Sequence, residues 1–287
     1  MCGNIISKMN YFERARYFKT KKRLGQNFLI DGEVIADIID FADISSEDVI
    51  LEIGPGVGFV TEQLVKHAKK VIAVELDEEA IKELQKLDAP NLEIIHKDIL
   101  KTDISELCNE KIKVVANIPY YITSPIIAHL LGEVDDLENK NRASIKNIIL
   151  MVQEEVALRM CANPEAPGKQ YGLLSILSQF WADVKILRKV GRKCFYPAPK
   201  VNSALVNLEV KTEPKLKLTD YSHFRKTIKA AFAHRRKNLK NCLLSAGFEK
   251  ETVYKVLGQM NLDENIRGEK LSIDTFGILS ESLLKNK

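Results

Sequence analysis

The strongest constraint on this 287-residue chain is an alternation of short apolar runs with helix-length segments. Val49–Ile53, Val71–Glu75, Leu92–His96, Lys113–Asn117 and Asn147–Val152 read as strands. Helical periodicity lies between them, at Glu33–Phe41, Phe59–Lys66, Glu78–Leu87 and Pro125–Leu131. Such alternation predicts a parallel sheet covered on both faces. Val184–Val190 and Ser203–Val210 follow with only the Gly191–Asn202 loop between them, which predicts an antiparallel hairpin at one sheet edge. The expected fold is α/β, with a seven-stranded, mostly parallel sheet. Past a Lys211–Leu218 linker containing Pro214, helical periodicity resumes at Tyr221–Ala246, Glu251–Met260 and Leu271–Leu284. That predicts a small all-α domain. The division is an N-terminal extension at 1–20, an α/β domain at 21–211 and a helical domain at 212–287.

Charge along this frame is sorted. The net charge is only +4, but residues 1–30 carry +6, residues 31–184 carry −14 and residues 185–250 carry +13. Two basic segments flanking an acidic body predict a polyanionic partner gripped at defined places. No apolar stretch approaches the roughly 18 residues that a membrane span needs, and the first 22 residues show no secretion signal. Five scattered cysteines, Cys2, Cys108, Cys161, Cys194 and Cys242, offer neither CxxC nor metal spacing. Dispersed thiols fit a reducing cytoplasm, with no metal site expected.

Chemistry concentrates at the strand ends. The first strand runs into Leu51-Glu52-Ile53-Gly54-Pro55-Gly56-Val57-Gly58, then a helix. Glycines there allow close approach of a ligand to the backbone. The spacing departs from GxGxxG, and an acid precedes the first glycine; this variant favours the amino-acid part of S-adenosylmethionine over a pyrophosphate. The second strand ends in Glu75, placed to accept hydrogen bonds from both hydroxyls of a ribose, while Asp77 better suits a helix N-cap. Asp98, after the third strand, suits an adenine amine. The fourth ends in Asn117-Ile118-Pro119-Tyr120. There the Asn117 oxygen and the Ile118 carbonyl could accept the two N–H groups of a purine amine and turn its lone pair out of the ring plane. Pro119 fixes the backbone, and Tyr120 offers a stacking face. Five parallel strands with a late hairpin and this row of ligands are the layout of a class I, Rossmann-like methyltransferase.

These segments also resemble a known family. Lys22-Arg23-Leu24-Gly25-Gln26-Asn27-Phe28-Leu29, the glycine-rich loop, Val74-Glu75-Leu76-Asp77 and Asn117-Ile118-Pro119-Tyr120 look like the rRNA adenine N6-dimethyltransferases. Further matching segments are Gln153–Ala157, Tyr171–Ser175, Phe195–Val201, Ala231–Lys237 and Arg267–Ser272. The resemblance runs in order from Lys21 to Leu279 and is nearest the small-subunit branch, KsgA/RsmA. It implies S-adenosylmethionine as methyl donor. Its substrate would be two adjacent adenosines in the loop of the 3′-terminal helix of 16S rRNA, within an immature small subunit. It further implies cofactor contacts by Asn27, Leu29, Gly54, Glu75, Asp98 and Asn117. Two positions depart from the pattern: Lys97, where the family often has Gly, and Tyr121, where many members have Asn.

A base undergoing chemistry must leave its stack. Tyr120 and Phe195 are expected to sandwich the adenine, with core packing the other reading of Phe195. Lys22, Arg23, Arg225, Lys229, Arg235, Arg236, Lys237 and Lys240 are the expected phosphate contacts. The catalytic set is thus Asn117, Ile118, Tyr120 and Phe195. No general base is needed, because a methylated amine is acidic enough to lose its proton to water. The chain is expected to act as a cytoplasmic monomer. Competing readings are an Erm-type enzyme acting on large-subunit rRNA, an assembly factor with secondary catalysis and, more distantly, a NAD-dependent enzyme.

Overall fold

The computed structural model describes residues 10–18, 20, 21, 25–234 and 236–286, except the Lys169 side chain. The elements begin with α1 (Tyr11–Tyr17), β1 (Phe28–Leu29), α2 (Gly32–Phe41), β2 (Val49–Ile53), α3 (Thr61–His67) and β3 (Lys70–Glu75). Then come α4 (Glu78–Leu84), β4 (Leu92–His96), β5 (Ile112–Asn117), α5 (Thr123–Leu131), α6 (Lys140–Ser144), β6 (Ile145–Gln153) and α7 (Glu154–Cys161). The rest are α8 (Leu173–Trp181), β7 (Ala182–Val190), β8 (Phe195–Tyr196), β9 (Ser203–Val210), α9 (Tyr221–Phe232), α10 (Leu239–Ser245), α11 (Lys250–Gln259) and α12 (Ile273–Lys285).

Seven strands form one sheet in the order β4-β3-β2-β5-β6-β9-β7. Strands β4, β3, β2, β5 and β6 are parallel, β9 runs antiparallel to β6, and β7 lies beyond it. Sequence explains the order. Central β2, Val-Ile-Leu-Glu-Ile, is buried at every residue, as a strand covered on both faces must be. The two edge strands, β4 and β7, carry the exposed charged and polar residues that block further pairing. A separate two-residue ladder pairs Phe28 with Tyr196 and Leu29 with Phe195. It was not predicted.

The chain divides into two compact units. The first takes the chain up to Leu130 with Lys140–Ala157 and Val184–Val210; the second takes Leu131–Asn139, Leu158–Asp183 and Lys211–Lys287. Residues 131–139 and 158–183, expected in the α/β domain, thus group with the C-terminal helices. In the second unit Phe180 stacks on Phe224 with centroids 5.5 Å apart, and Trp181 Nε1 donates to the Glu133 carbonyl at 3.1 Å. The periodicity of Tyr221–Ala246 predicted one helix, but α9 stops at Phe232 and α10 begins only at Leu239. Asn238 caps α10 through the Asn241 amide, an alternative that a capping side chain offers the backbone. Leu239 and Leu243 still reach the core.

Helix α1, which lies within the segment read only as an extension, joins the first unit's core through Ala15. Asn10 and Glu13 close a capping box. Ala15 is fully buried, and the Tyr11 and Phe59 ring centroids are 5.0 Å apart. The Arg14 guanidinium lies 4.9 Å from the Phe59 centroid and pairs with Glu62 of α3. Arg14→Ala removes a shielded ion pair and a cation–π contact together. It is expected to cost about 1–2 kcal/mol, read as a lower urea midpoint at unchanged m-value, with Lys66→Ala, on the exposed face of α3, as the near-neutral control.

Candidate active site

The C-terminal ends of β2, β3 and β5, with the turn after β4, open onto one cleft in the first unit. Its walls come from the 25–29 segment, the glycine-rich loop and the Asn117–Ile122 turn. Open α/β sheets bind ligands along this edge. Gly54 has φ +65°, and a β-carbon there would meet nothing within 4 Å, so the backbone is bare toward the cleft. Gly56 has φ +57° for a different reason: a β-carbon would lie 2.8 Å from Phe28 Cε1. One glycine leaves room for a ligand; the other leaves room for the cleft's own wall.

Glu75 ends β3 as expected, but its carboxylate is already engaged. Oε1 accepts from the Leu76 and Asp77 amides at 2.7 and 2.8 Å, and Oε2 accepts from the Gly56 amide at 3.0 Å. A carboxylate offers about four lone-pair sites, so Oε2 has room for one further donor rather than for a bond to each ribose hydroxyl. Burial raises the Glu75 pKa despite these amides. Asp77 is the N-cap of α4, accepting from the Glu79 amide. It also binds Lys21 at 2.6 Å and the Gln26 amide nitrogen at 2.7 Å, which ties the 25–29 segment to the start of α4. Asp98 lines the cleft with Oδ1 accepting from the Leu100 amide, leaving Oδ2 open.

Asn117 sits at the end of β5. Its Nδ2 donates to the Asn27 carbonyl at 3.1 Å, and Asn27 in turn donates to the Gly25 carbonyl at 2.9 Å. With its NH₂ end held, the Asn117 side-chain oxygen is the free acceptor, and the cleft-lining Ile118 accepts no hydrogen bond among the described residues. Tyr120 is half-buried, with its hydroxyl 2.6 Å from Ser203 Oγ. Leu29 is a buried wall residue. Asn27, Leu29, Gly54, Glu75, Asp98, Asn117, Ile118 and Tyr120 therefore share one cleft.

Phe195 does not join them. It is 3% exposed, paired with Leu29 in the two-residue ladder and packed in the core, so its aromatic surface is already covered. The expected sandwich of Tyr120 and Phe195 is corrected: Phe195 supports the wall behind Leu29. Glu52, the acid before the first glycine that marked the loop in the sequence, proves to be buried in β2. It lines the cleft, its Oε2 meets no hydrogen-bond partner of good geometry among the described residues, and the nearby Thr61 hydroxyl only partly offsets its burial. An acid inside an otherwise apolar Val-Ile-Leu-Glu-Ile run was the available signal.

The basic residues divide differently from expectation. Lys22, Arg23 and Arg235 lie outside the described residues. Arg225 binds Glu133 and Asp135, and Lys229 binds Glu133 at 3.2 Å, so both are committed within their own unit. Lys240 lies over the Tyr254 ring at 5.1 Å and 3.7 Å from Glu264. Arg236 and Lys237 are exposed. Lys237 lines a hollow in the second unit with Arg159, Arg267, His234, Tyr171 and Glu269. Neither Arg159 nor Arg267 has an ion pair among the described residues, and the Tyr171 hydroxyl is buried without a partner.

A parallel sheet with a reversed edge hairpin and a ligand cleft at the strand ends defines a class I methyltransferase. The model of the family described as ribosomal RNA adenine dimethylase matches residues 17–281. Ribosomal RNA small subunit methyltransferase A of Clostridium botulinum (strain Langeland) is 43% identical over 270 residues, covering 93% of this chain and 94% of that protein. The protein of the same name from Clostridium perfringens (strain SM101) is also 43% identical, over 93% and 92%. A dimethyladenosine transferase from Plasmodium falciparum superposes with a TM-score of 0.71 at 29% identity, covering 87% and 94%. The 23S rRNA methyltransferase ErmE gives 0.67 at 27%, covering 90% and 99%. The chain belongs to the ribosomal RNA adenine dimethylase family, and it is an rRNA methyltransferase.

Burial pushes the Glu52 carboxyl up to about 8, with the Glu75 charge adding to the shift. The folded state therefore holds a proton that the unfolded chain releases above its ordinary value of 4.5. Stability should fall as pH rises from about 5 to 8 and then level off. Glu52→Gln is expected to flatten that slope in urea titrations across the window; an unchanged slope would place the titration elsewhere.

Proposed function

We propose that the protein uses S-adenosylmethionine to dimethylate the N6 amines of two adjacent adenosines in the loop of the 3′-terminal helix of 16S rRNA. Its substrate is the immature small subunit, and it works as a cytoplasmic monomer. The observation that carries this reading is the pair of open acceptors, Asn117 Oδ1 and the Ile118 carbonyl, at the end of β5.

The cleft's own chemistry suits a cationic, adenosine-bearing donor. Glu52, buried at the cleft with Oε2 unpartnered among the described residues, would release its proton beside a positive group, and the open space at Gly54 fits close approach of a ligand to the backbone. Glu75 and Asp98 keep one acceptor position each for ribose and adenine donors. S-adenosylmethionine supplies an electrophilic methyl on a sulfonium that departs as a neutral thioether. The protein's task lies with the other reactant. A purine amine is a weak nucleophile because its lone pair is delocalised into the ring. In the first transfer Asn117 and Ile118, each accepting one N–H, hold the nitrogen in a pyramidal geometry with the lone pair directed at the methyl; in the second, the single remaining N–H keeps one of these acceptors. Tyr120, anchored by Ser203, presents a face on which the base stacks, and the product proton passes to water.

For the rRNA, Arg236, Lys237, Arg159 and Arg267 are favoured over Arg225 and Lys229 as phosphate contacts, since a cation with no carboxylate partner among the described residues has its donors open to a polyanion. The resemblance to ErmE favours large-subunit rRNA as the second reading, while the 43% relatives favour the small subunit.

Asn117→Ala is expected to reduce single-turnover methylation of unmethylated small subunits by about 10²-fold or more, by analogy with the loss of one transition-state hydrogen-bond partner. A near-wild-type rate would sink the two-acceptor account, and preferential methylation of protein-free 23S rRNA would favour the second reading. Arg159→Ala and Arg267→Ala should each weaken rRNA binding and lower the magnitude of the log K against log salt slope by about one. Arg225→Ala should leave that slope unchanged.

A further inference from the structure

The turn after β5 carries two tyrosines in contrasting settings. Tyr120 is half-buried and tethered to Ser203. Tyr121, the next residue, is 63% exposed and lines the same cleft. An aromatic ring left this far in water gives up most of the burial that normally stabilises it. It is nevertheless seated. A β-carbon at Gly25 would stand 3.2 Å from Tyr121 Cε1 and 3.4 Å from Pro119 Cβ, so the ring rests against a bare backbone at φ +60°. Any side chain at Gly25 would push it away. The combination is a ring supported on one side and open on the rest of its surface, at the edge of the cleft.

A base drawn out of a single strand leaves its neighbour with one face unstacked. We propose that Tyr121 takes up that face, stacking the base of the nucleotide that flanks the target adenosine. The site is for an unpaired RNA base, and it tolerates sequence because every base has a π-face. Tyr120 would serve the target and Tyr121 its neighbour. The inference rests on the adenosine-methylation reading and deepens it by giving the substrate a second foothold.

The test uses small subunits reconstituted on unmethylated 16S rRNA, either intact or abasic beside the target adenosine. Single-turnover methylation is measured for wild type, Tyr121→Ala and Tyr121→Trp, together with S-adenosylmethionine affinity. On intact rRNA, Tyr121→Ala should lower kcat/KM for the subunit about 5- to 100-fold, the range of one base–aromatic stack. Tyr121→Trp should restore it, and cofactor affinity should be unchanged. On the abasic substrate, wild type and Tyr121→Ala should be equal. Equal rates on intact rRNA would overturn the proposal. So would a loss of the same size on the abasic substrate, which would make the ring structural. A wild type inactive on the intact subunit would remove the methylation reading, and this inference with it.

Discussion

The hydrogen bond from Asn117 to the Asn27 carbonyl decides what the cleft can do. A side-chain amide has a donor end and an acceptor end, and whichever is engaged by the protein leaves the other for a ligand. Here a backbone carbonyl holds the donor end across 90 residues of sequence, so the oxygen is free to receive an amine. The rest of the first unit holds Asn27 in place. Gln26 is tied to Asp77, Asn27 to Gly25, and Phe28 and Leu29 are packed in the core.

The same logic of withheld partners runs along the sheet edge. Asp98 spends one oxygen on a turn, and Glu75 spends most of its lone pairs on amides. Glu52 leaves one oxygen unpartnered and is driven toward its neutral form by burial. Burying an acid with so few partners is costly, and neutralising it reduces that cost. In the second unit, Arg159 and Arg267 form no ion pair among the described residues, while Arg225 holds the Glu133 carboxyl below its usual range. Partnership, more than charge, separates the residues available to a ligand from those that hold the unit together.

Much of this was legible in the chain. The bounds of β2, β4 and β9 match the strand runs read from the sequence residue for residue; in β2 this is because continuous burial leaves a continuous apolar pattern. The cleft residues from Gly54 to Tyr120 were legible because ligand chemistry collects at strand ends. Phe195 was misplaced because an aromatic ring suits a core and a stacking site equally, and a two-residue ladder with Leu29 leaves no periodicity. The pairing of Arg225 and Lys229 with Glu133 was not legible because that partner is 92 and 96 residues away in sequence. The break after Phe232 was hidden because α10 resumes in phase, returning Leu239 and Leu243 to the core.

The most direct test is a crystal structure of the protein with S-adenosylhomocysteine and an adenosine-containing RNA fragment. The account predicts the target N6 within about 3 Å of both Asn117 Oδ1 and the Ile118 carbonyl, a normal hydrogen-bond distance, with the Asn117 NH₂ still on Asn27. An amide turned the other way, its NH₂ facing the base or its oxygen paired inside the protein, would contradict it.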